Sequence, residues 1–254
     1  MKKQIRRVLA LCLALCLPVM SAQALEVTDW LTAVCCYPEG STEADATYVY
    51  RYSLPVFGGD EEAVEAINEV YAYEAEYIET FTVPINGDMY GTGSTQYFTE
   101  LTTEVTCLSE DFLSVKLMYS EHTDEGSQTS HVAGHVFALK GSKAGTVISL
   151  PYMLGVLDMD EDDEWLTERQ TNKCDTCVRG LVWEQLQELA DDGTLELYDD
   201  ADEEYFEGVF YPEEDFYLTE DGSVTFFLQP DTVCPEKYGT LTFTFTVEDL
   251  LDEL

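Results

Sequence analysis

The stretch that most constrains this chain is the dipeptide Asp221-Gly222, set between two apolar runs, Phe216 to Leu218 and Val224 to Leu228. An Asp-Gly pair supplies the positive backbone angles that a tight hairpin turn demands, so these runs read as paired antiparallel strands. An irregular loop follows, and then a third run, Leu241 to Phe245. A sheet this small is not stable alone in water. The preceding residues must therefore supply further strands and the helices that cover one face.

Taken from the start, residues 1–24 have the three parts of a secretory signal. Lys2, Lys3, Arg6 and Arg7 form a positive start, Val8 to Leu17 an apolar run, and Ala22-Gln23-Ala24 a small-x-small cleavage site. The apolar run is well short of the roughly twenty residues of a membrane-spanning helix, so cleavage is expected and not anchoring. Cys12 and Cys16 follow leucines, which disfavours a lipoprotein signal. No later stretch is apolar and long enough to span a membrane. The expected product is secreted, extracytoplasmic and free of the membrane.

The rest reads as α+β, a mostly antiparallel sheet with helices over about 60–81 and 172–189 packed on it. Residues 25–45 form an N-terminal arm, 46–155 an N-terminal α+β subdomain and 156–254 a C-terminal subdomain sharing the sheet. Tyr48, Tyr50 and Tyr52 alternate with Val49, Arg51 and Ser53 in a strand that Pro55 ends. In the first helix Asp60, Glu61 and Glu62 sit where the dipole favours anions, and Ala63, Ile67, Val70, Tyr71, Tyr77 and Ile78 form its inward face. Residues 82–95 read as a turn-rich connection. Strands follow at 96–107, 112–121 and 131–139, with a short one at 147–150. In the second helix Val178, Leu181, Val182, Leu186 and Leu189 point inward.

The charge excludes some partners. The chain carries 51 acidic and 12 basic residues, a formal charge of −39. Loss of the signal removes four of the basic ones and none of the acidic. Such a field excludes nucleic acid and anionic lipid and favours basic proteins, cations or plain solubility. The many aromatic residues and an apolar content of 45% supply enough burial to fold in spite of it.

Six cysteines remain after cleavage: Cys35, Cys36, Cys107, Cys174, Cys177 and Cys234. In an exported chain an even set reads as disulfides. The neighbours Cys35 and Cys36 would take different partners and could tie the arm to the sheet or to the Cys174 helix. The rival reading is a zinc site built on Cys174-x-x-Cys177. No cofactor is expected. A weak calcium site at Asp158, Asp160 and Asp162 competes with a solvated loop, since Asp163 stands where an EF-hand needs glycine and Arg169 where it needs glutamate. Asp199 to Glu204 are read as solvated in the same way. His131 and His135 lie about 13 Å apart on a strand, too far to share a ligand, and His122 is on another segment. No nucleophile motif appears and no pair of carboxylates is singled out, so no catalytic residue is assigned. The strand tyrosines read as core, with a carbohydrate-facing platform as the alternative.

The order Phe216-Tyr217-Leu218, Asp221-Gly222, a strand, a proline-containing loop ending in Tyr238-Gly239, a last strand and Val247-Glu248-Asp249-Leu250 resembles the RsiV-like extracytoplasmic domain. Tyr48 to Pro55 with the helix from Asp60, and the paired segments Phe112 to Tyr119 and Val132 to Leu139, fit the same pattern. The resemblance covers about residues 45 to 251. It departs at Glu125 to Thr129, where such domains carry a run of Gly-Gly-Ala-His-Gly type. The resemblance implies a non-enzymatic binding domain for a basic protein such as a lysozyme, or for a cell-wall component. The alternatives are a cell-wall enzyme acting on glycan through carboxylates and an acidic exported domain with no specific ligand.

Overall fold

The computed structural model describes residues 25–254 apart from 60, 61, 92 and 127. The signal segment, Asp60 and Glu61 therefore lie outside the described residues. The fold is α+β, as the sequence predicts. Its larger sheet has five strands in the order β1 (Glu26–Tyr37), β2 (Tyr48–Gly58), β3 (Tyr97–Leu108), β4 (Phe112–Thr123) and β5 (Gln128–Ala138). All neighbours are antiparallel except β2 and β3, which run parallel. A second sheet holds β6 (Phe216–Leu218), β7 (Val224–Leu228) and β8 (Leu241–Phe245).

The parallel pair needs a crossover, and a helical rod provides it. Its parts are α1 (Glu62–Tyr77), a π-helical turn (Ile78–Thr82) and α2 (Val83–Tyr90). Val64, Ile67, Tyr71 and Ala75 of α1 pack with Tyr48, Tyr50, Tyr52 and Leu54 of β2 and with Leu113, Val115 and Leu117 of β4 to form one core. The strand tyrosines are thus buried, and two of their hydroxyls are bonded inside the fold: Tyr48 pairs with Thr99 at 2.9 Å and Tyr52 donates to Glu79 at 2.6 Å. They offer no platform to a sugar.

The other core lies under α4 (Glu164–Asp191), whose buried Cys174, Val178, Val182 and Leu186 recur every four residues and so share a face. They meet Phe216, Phe226, Phe243 and Phe245 of the small sheet, together with Cys107, Val136 and Ala138 of the large one. Short helices α3 (Leu150–Met153) and α5 (Glu203–Glu207) close its sides, and α6 (Val247–Glu253) ends the chain. The turn at Asp221-Gly222 forms as expected: Gly222 has φ 83°, and the Asp221 carboxylate accepts from the Thr219 hydroxyl at 2.6 Å and the Ser223 N–H at 3.0 Å.

Several expectations are corrected. The single shared sheet is two sheets, because β6 crosses β5 without pairing to it. Gly134 of β5 is the crossing point, where a Cβ would lie 1.9 Å from the Phe216 carbonyl oxygen. The Leu218 N–H donates to Ser114 Oγ at 2.9 Å, and the Gln229 amide takes both backbone groups of Val132, at 3.0 and 2.6 Å. The expected arm is the edge strand β1. Pro55 does not end β2, which pairs with β3 only as far as Tyr52 and so has one free edge that tolerates a residue without an N–H. The connection over 82–95 contains α2. Pro84 fits its first turn, and Gly87 lets the Tyr37 ring lie against it, since a Cβ there would be 2.1 Å from that ring. The second helix starts earlier than 172 because Asp163 caps it, accepting from Leu166 N–H at 3.0 Å. The strand over 147–150 reduces to one bridge, Phe137 to Val147.

The last helix carries a capping box. Thr246 Oγ1 accepts from Asp249 N–H at 3.1 Å, and Asp249 Oδ2 accepts from Thr246 N–H at 3.2 Å, which holds Leu250 in the core. Thr246→Ala should cost about 1 kcal/mol of stability in a urea titration. An unchanged midpoint would mean that α6 contributes nothing to the cooperative fold.

Candidate functional site

A cleft of about 580 Å³ opens where the two sheets meet. Its walls are the outer edge of β5 from Val132 to Val136, the turn from Lys143 to Ser149 with Tyr152 of α3, and the segment Glu213 to Phe216 that leads into β6. His135 lines it with its Nδ1 lacking any partner, and burial pushes its pKa down to about 4, so the ring is neutral at physiological pH. Lys143 lies 4.5 Å from the centre of the Tyr152 ring. On the opposite wall Asp215 is pushed up to about 6, chiefly by burial, although it accepts from the Tyr211 N–H at 2.9 Å.

Behind Glu213 stands Asp175 of α4, only 5% exposed. Burial first, and the facing Glu213 carboxyl second, raise its pKa to about 7, while Arg179 opposes the shift. Asp175 Oδ1 and Glu213 Oε2 have no N–H or hydroxyl donor between them. A proton held on Asp175 and offered to Glu213 satisfies both oxygens, and burial is the chief reason Asp175 keeps it to unusually high pH. Arg179 spends its Nε–H on the Phe210 carbonyl at 3.1 Å. The cleft can thus accept donors at Glu213 and Asp215 and a neutral imidazole contact at His135.

Over the described surface few carboxylates meet a cation. Of the eight basic side chains beyond the signal segment, seven are engaged. Arg51 bonds Glu43 and Glu100, Lys140 meets Glu110 and Asp111, and Lys237 meets Glu196. Lys116, Lys143 and Arg169 lie over the rings of Tyr217, Tyr152 and Trp165, and Arg179 is held as above. Lys173 alone stands outside this set among the described residues.

Of the cysteines, histidines and acidic-run residues singled out from sequence, His135 lines the cleft and the others fall elsewhere. Cys35 and Cys36 sit on β1, at the far edge of the large sheet from β5, whereas Cys174 lies beneath the β5 side with Cys107 and Cys234. Cys35 packs against the core under α1, whereas Cys174 belongs to the core under α4. The six thiols are unbridged, and burial is the leading cause that raises the pKa of each, to about 11 for Cys35 and Cys174. Among the described residues no three His, Cys, Asp or Glu are placed to hold a metal. The acidic run serves the backbone instead: Asp158 accepts from Asp160 N–H, Glu161 from Asp163 N–H, and Asp202 caps α5. His122 stacks on Phe98 at 4.7 Å and His131 on Tyr119 at 4.4 Å, each nearly parallel, so neither meets His135 at a common ligand. Asp175, Glu213, Asp215 and Lys143 were not legible as a group, being brought together from α4 and two separate turns.

The part of the chain that forms α4, α5 and the small sheet is also the part that can be compared by sequence. Residues 170–248 match the family described as protein of unknown function (DUF3298). The DUF3298 segment thus holds Asp175, Glu213 and Asp215 and one wall of the cleft. Two solved structures of DUF3298 proteins are similar to the chain. One from Pseudomonas aeruginosa PAO1 has a TM-score of 0.52 at 13% identity, covering 91% of this chain and 94% of that one. One from Bacteroides fragilis NCTC 9343 has a TM-score of 0.49 at 14% identity, covering 89% and 91%. At such identity the likeness concerns the fold alone. No curated protein matches the chain. Among the described residues no helix is long and apolar enough to cross a membrane.

Proposed function

We propose that this protein is an extracytoplasmic, non-enzymatic binding domain of RsiV-like type whose partner is a basic protein of lysozyme kind. The observation that carries the reading is the pinning of its cations: seven of the eight are held by contacts within the molecule, three of them in ion pairs, while most carboxylates among the described residues meet no cation. A surface so arranged speeds encounter with a cationic partner and repels anionic ones. The DUF3298 match over residues 170–248 and the signal-like start support it.

Calorimetric titration with hen-type lysozyme, at low salt and at about 0.3 M where the Debye length is below about 8 Å, tests the reading. Binding should persist at the higher salt with reduced affinity. No binding at either salt would remove lysozyme as the partner, and binding lost entirely with salt would reduce the interaction to unspecific charge.

A glycan-hydrolysing enzyme is the second reading, favoured only by the raised Asp175 carboxyl behind the cleft. It requires turnover of peptidoglycan fragments with a pH optimum below that carboxyl's pKa.

A further inference from the structure

The crossover rod carries a row of apolar side chains that stays exposed among the described residues. Tyr73, Tyr77, Phe81, Ile85 and Met89 are spaced four residues apart and are 68, 44, 54, 55 and 61% exposed. Tyr77 was expected on the inward face; it stands outside because six residues at about 100° each turn it about 120° away from the buried Tyr71. In a pure α-helix a four-residue step overshoots the 3.6-residue turn by about 40°, so five such residues would wind around the rod. The π turn at Ile78–Thr82 holds more residues per turn and takes back much of that drift in the middle of the row. The result is a straight ridge roughly 24 Å long at 1.5 Å per residue. Its first three rings are packed on one another, Tyr73 on Tyr77 at 6.3 Å and Tyr77 on Phe81 at 5.3 Å with planes 21° apart.

Rings that face each other expose edges and not faces, so the ridge is poorly shaped for stacking a flat sugar and well shaped to fill an apolar groove. The same rod, from Glu62 to Tyr90, has seven acidic residues and no Lys or Arg. A second copy of this chain would set two such acidic rods against each other. A partner with an apolar groove and a basic rim matches both the ridge and its border.

We infer that the ridge from Tyr73 to Met89 is the docking surface for a basic protein partner, whose apolar groove takes the ridge while its cationic rim meets the flanking carboxylates. This rests on the reading of the protein as a binder of basic proteins and names the surface that does it.

The test uses two peptide probes of equal positive charge on the chain from Leu25 onward, which contains every described element. One is an amphipathic Leu/Lys helix and the other an oligolysine. The Leu/Lys helix should bind about tenfold tighter than oligolysine, and Tyr77→Ser/Phe81→Ser should abolish that advantage while leaving oligolysine binding and the melting temperature unchanged. Equal affinities for the two probes, or an advantage that survives in the double variant, would overturn the ridge as the docking surface. If neither probe binds at low salt, the cationic-partner reading itself fails. A concentration-dependent dimer in sedimentation that the double variant abolishes would give the ridge to a second copy and overturn the proposal.

Discussion

Gly134→Ala is expected to lower stability by about 3 kcal/mol, whereas Gly180→Ala should raise it by about 1 kcal/mol. The substitution is the same and the surroundings differ. At position 134 a Cβ would lie 1.9 Å from the Phe216 oxygen and 2.8 Å from its carbonyl carbon, which are main-chain atoms with no rotamer to retreat into. Relief requires the small sheet to lift from β5, which also strains the Leu218 to Ser114 and Gln229 to Val132 bonds. At position 180, on the exposed face of α4, a Cβ meets nothing within 4 Å, and alanine only reduces the backbone freedom lost on folding. Urea unfolding of the two variants beside the parent decides the matter. A Gly134→Ala midpoint within error of the parent would mean that the two sheets do not close on each other here.

Asp175→Asn is expected to stabilise the protein by about 2 kcal/mol at pH 8 and hardly at all at pH 5. The folded pKa of Asp175, about 7, lies above its ordinary value of 3.8, so between those limits the folded state holds more protons than the unfolded one. Stability must then fall as pH rises through that window, and above it the chain bears the full cost of two buried facing carboxylates. Asparagine keeps the shape and offers Glu213 a permanent N–H donor. Asp215, raised to about 6, contributes with the same sign, and His135, lowered to about 4, with the opposite one, since it costs stability as pH drops from about 6.5. Both are present in parent and variant, so the difference between the two isolates Asp175. Equal differences at pH 5 and pH 8 would show that Asp175 does not hold a proton in the folded state.

The strands were legible because their signals are local. Phe216–Leu218, Val224–Leu228 and Leu241–Phe245 form as read, with Asp221-Gly222 making the turn between the first two. The three long strands β3, β4 and β5 lie within a few residues of their expected bounds. Helix ends and breakers were less legible. Asn86-Gly87 reads as a turn until Tyr37 is seen to need the space beside Gly87, and the start of α4 hides in an acidic run whose Asp163 is a cap. The cleft was illegible as a site, because its carboxyls come from α4 and from the segment before β6 and look in sequence like any of the other acids. Glycine inside a strand is a recognised sign of close backbone approach, and Gly134 was the available clue to the crossing.

The sequence by itself determined the class of fold and the sign of the surface, since strand alternation, turn dipeptides and a ratio of 51 acidic to 12 basic residues act through neighbours in the chain or through the sum of all charges. Only the tertiary structure decided that the strands part into two sheets, that Asp175 and Glu213 meet in a shared burial, and that Tyr73, Tyr77 and Phe81 remain outside. Each of these depends on which surfaces compete for the same volume: a carbonyl over Gly134, a carboxyl against a carboxyl, a helix face that finds no neighbour. Such contacts join residues far apart in sequence, and local pattern carries no record of them.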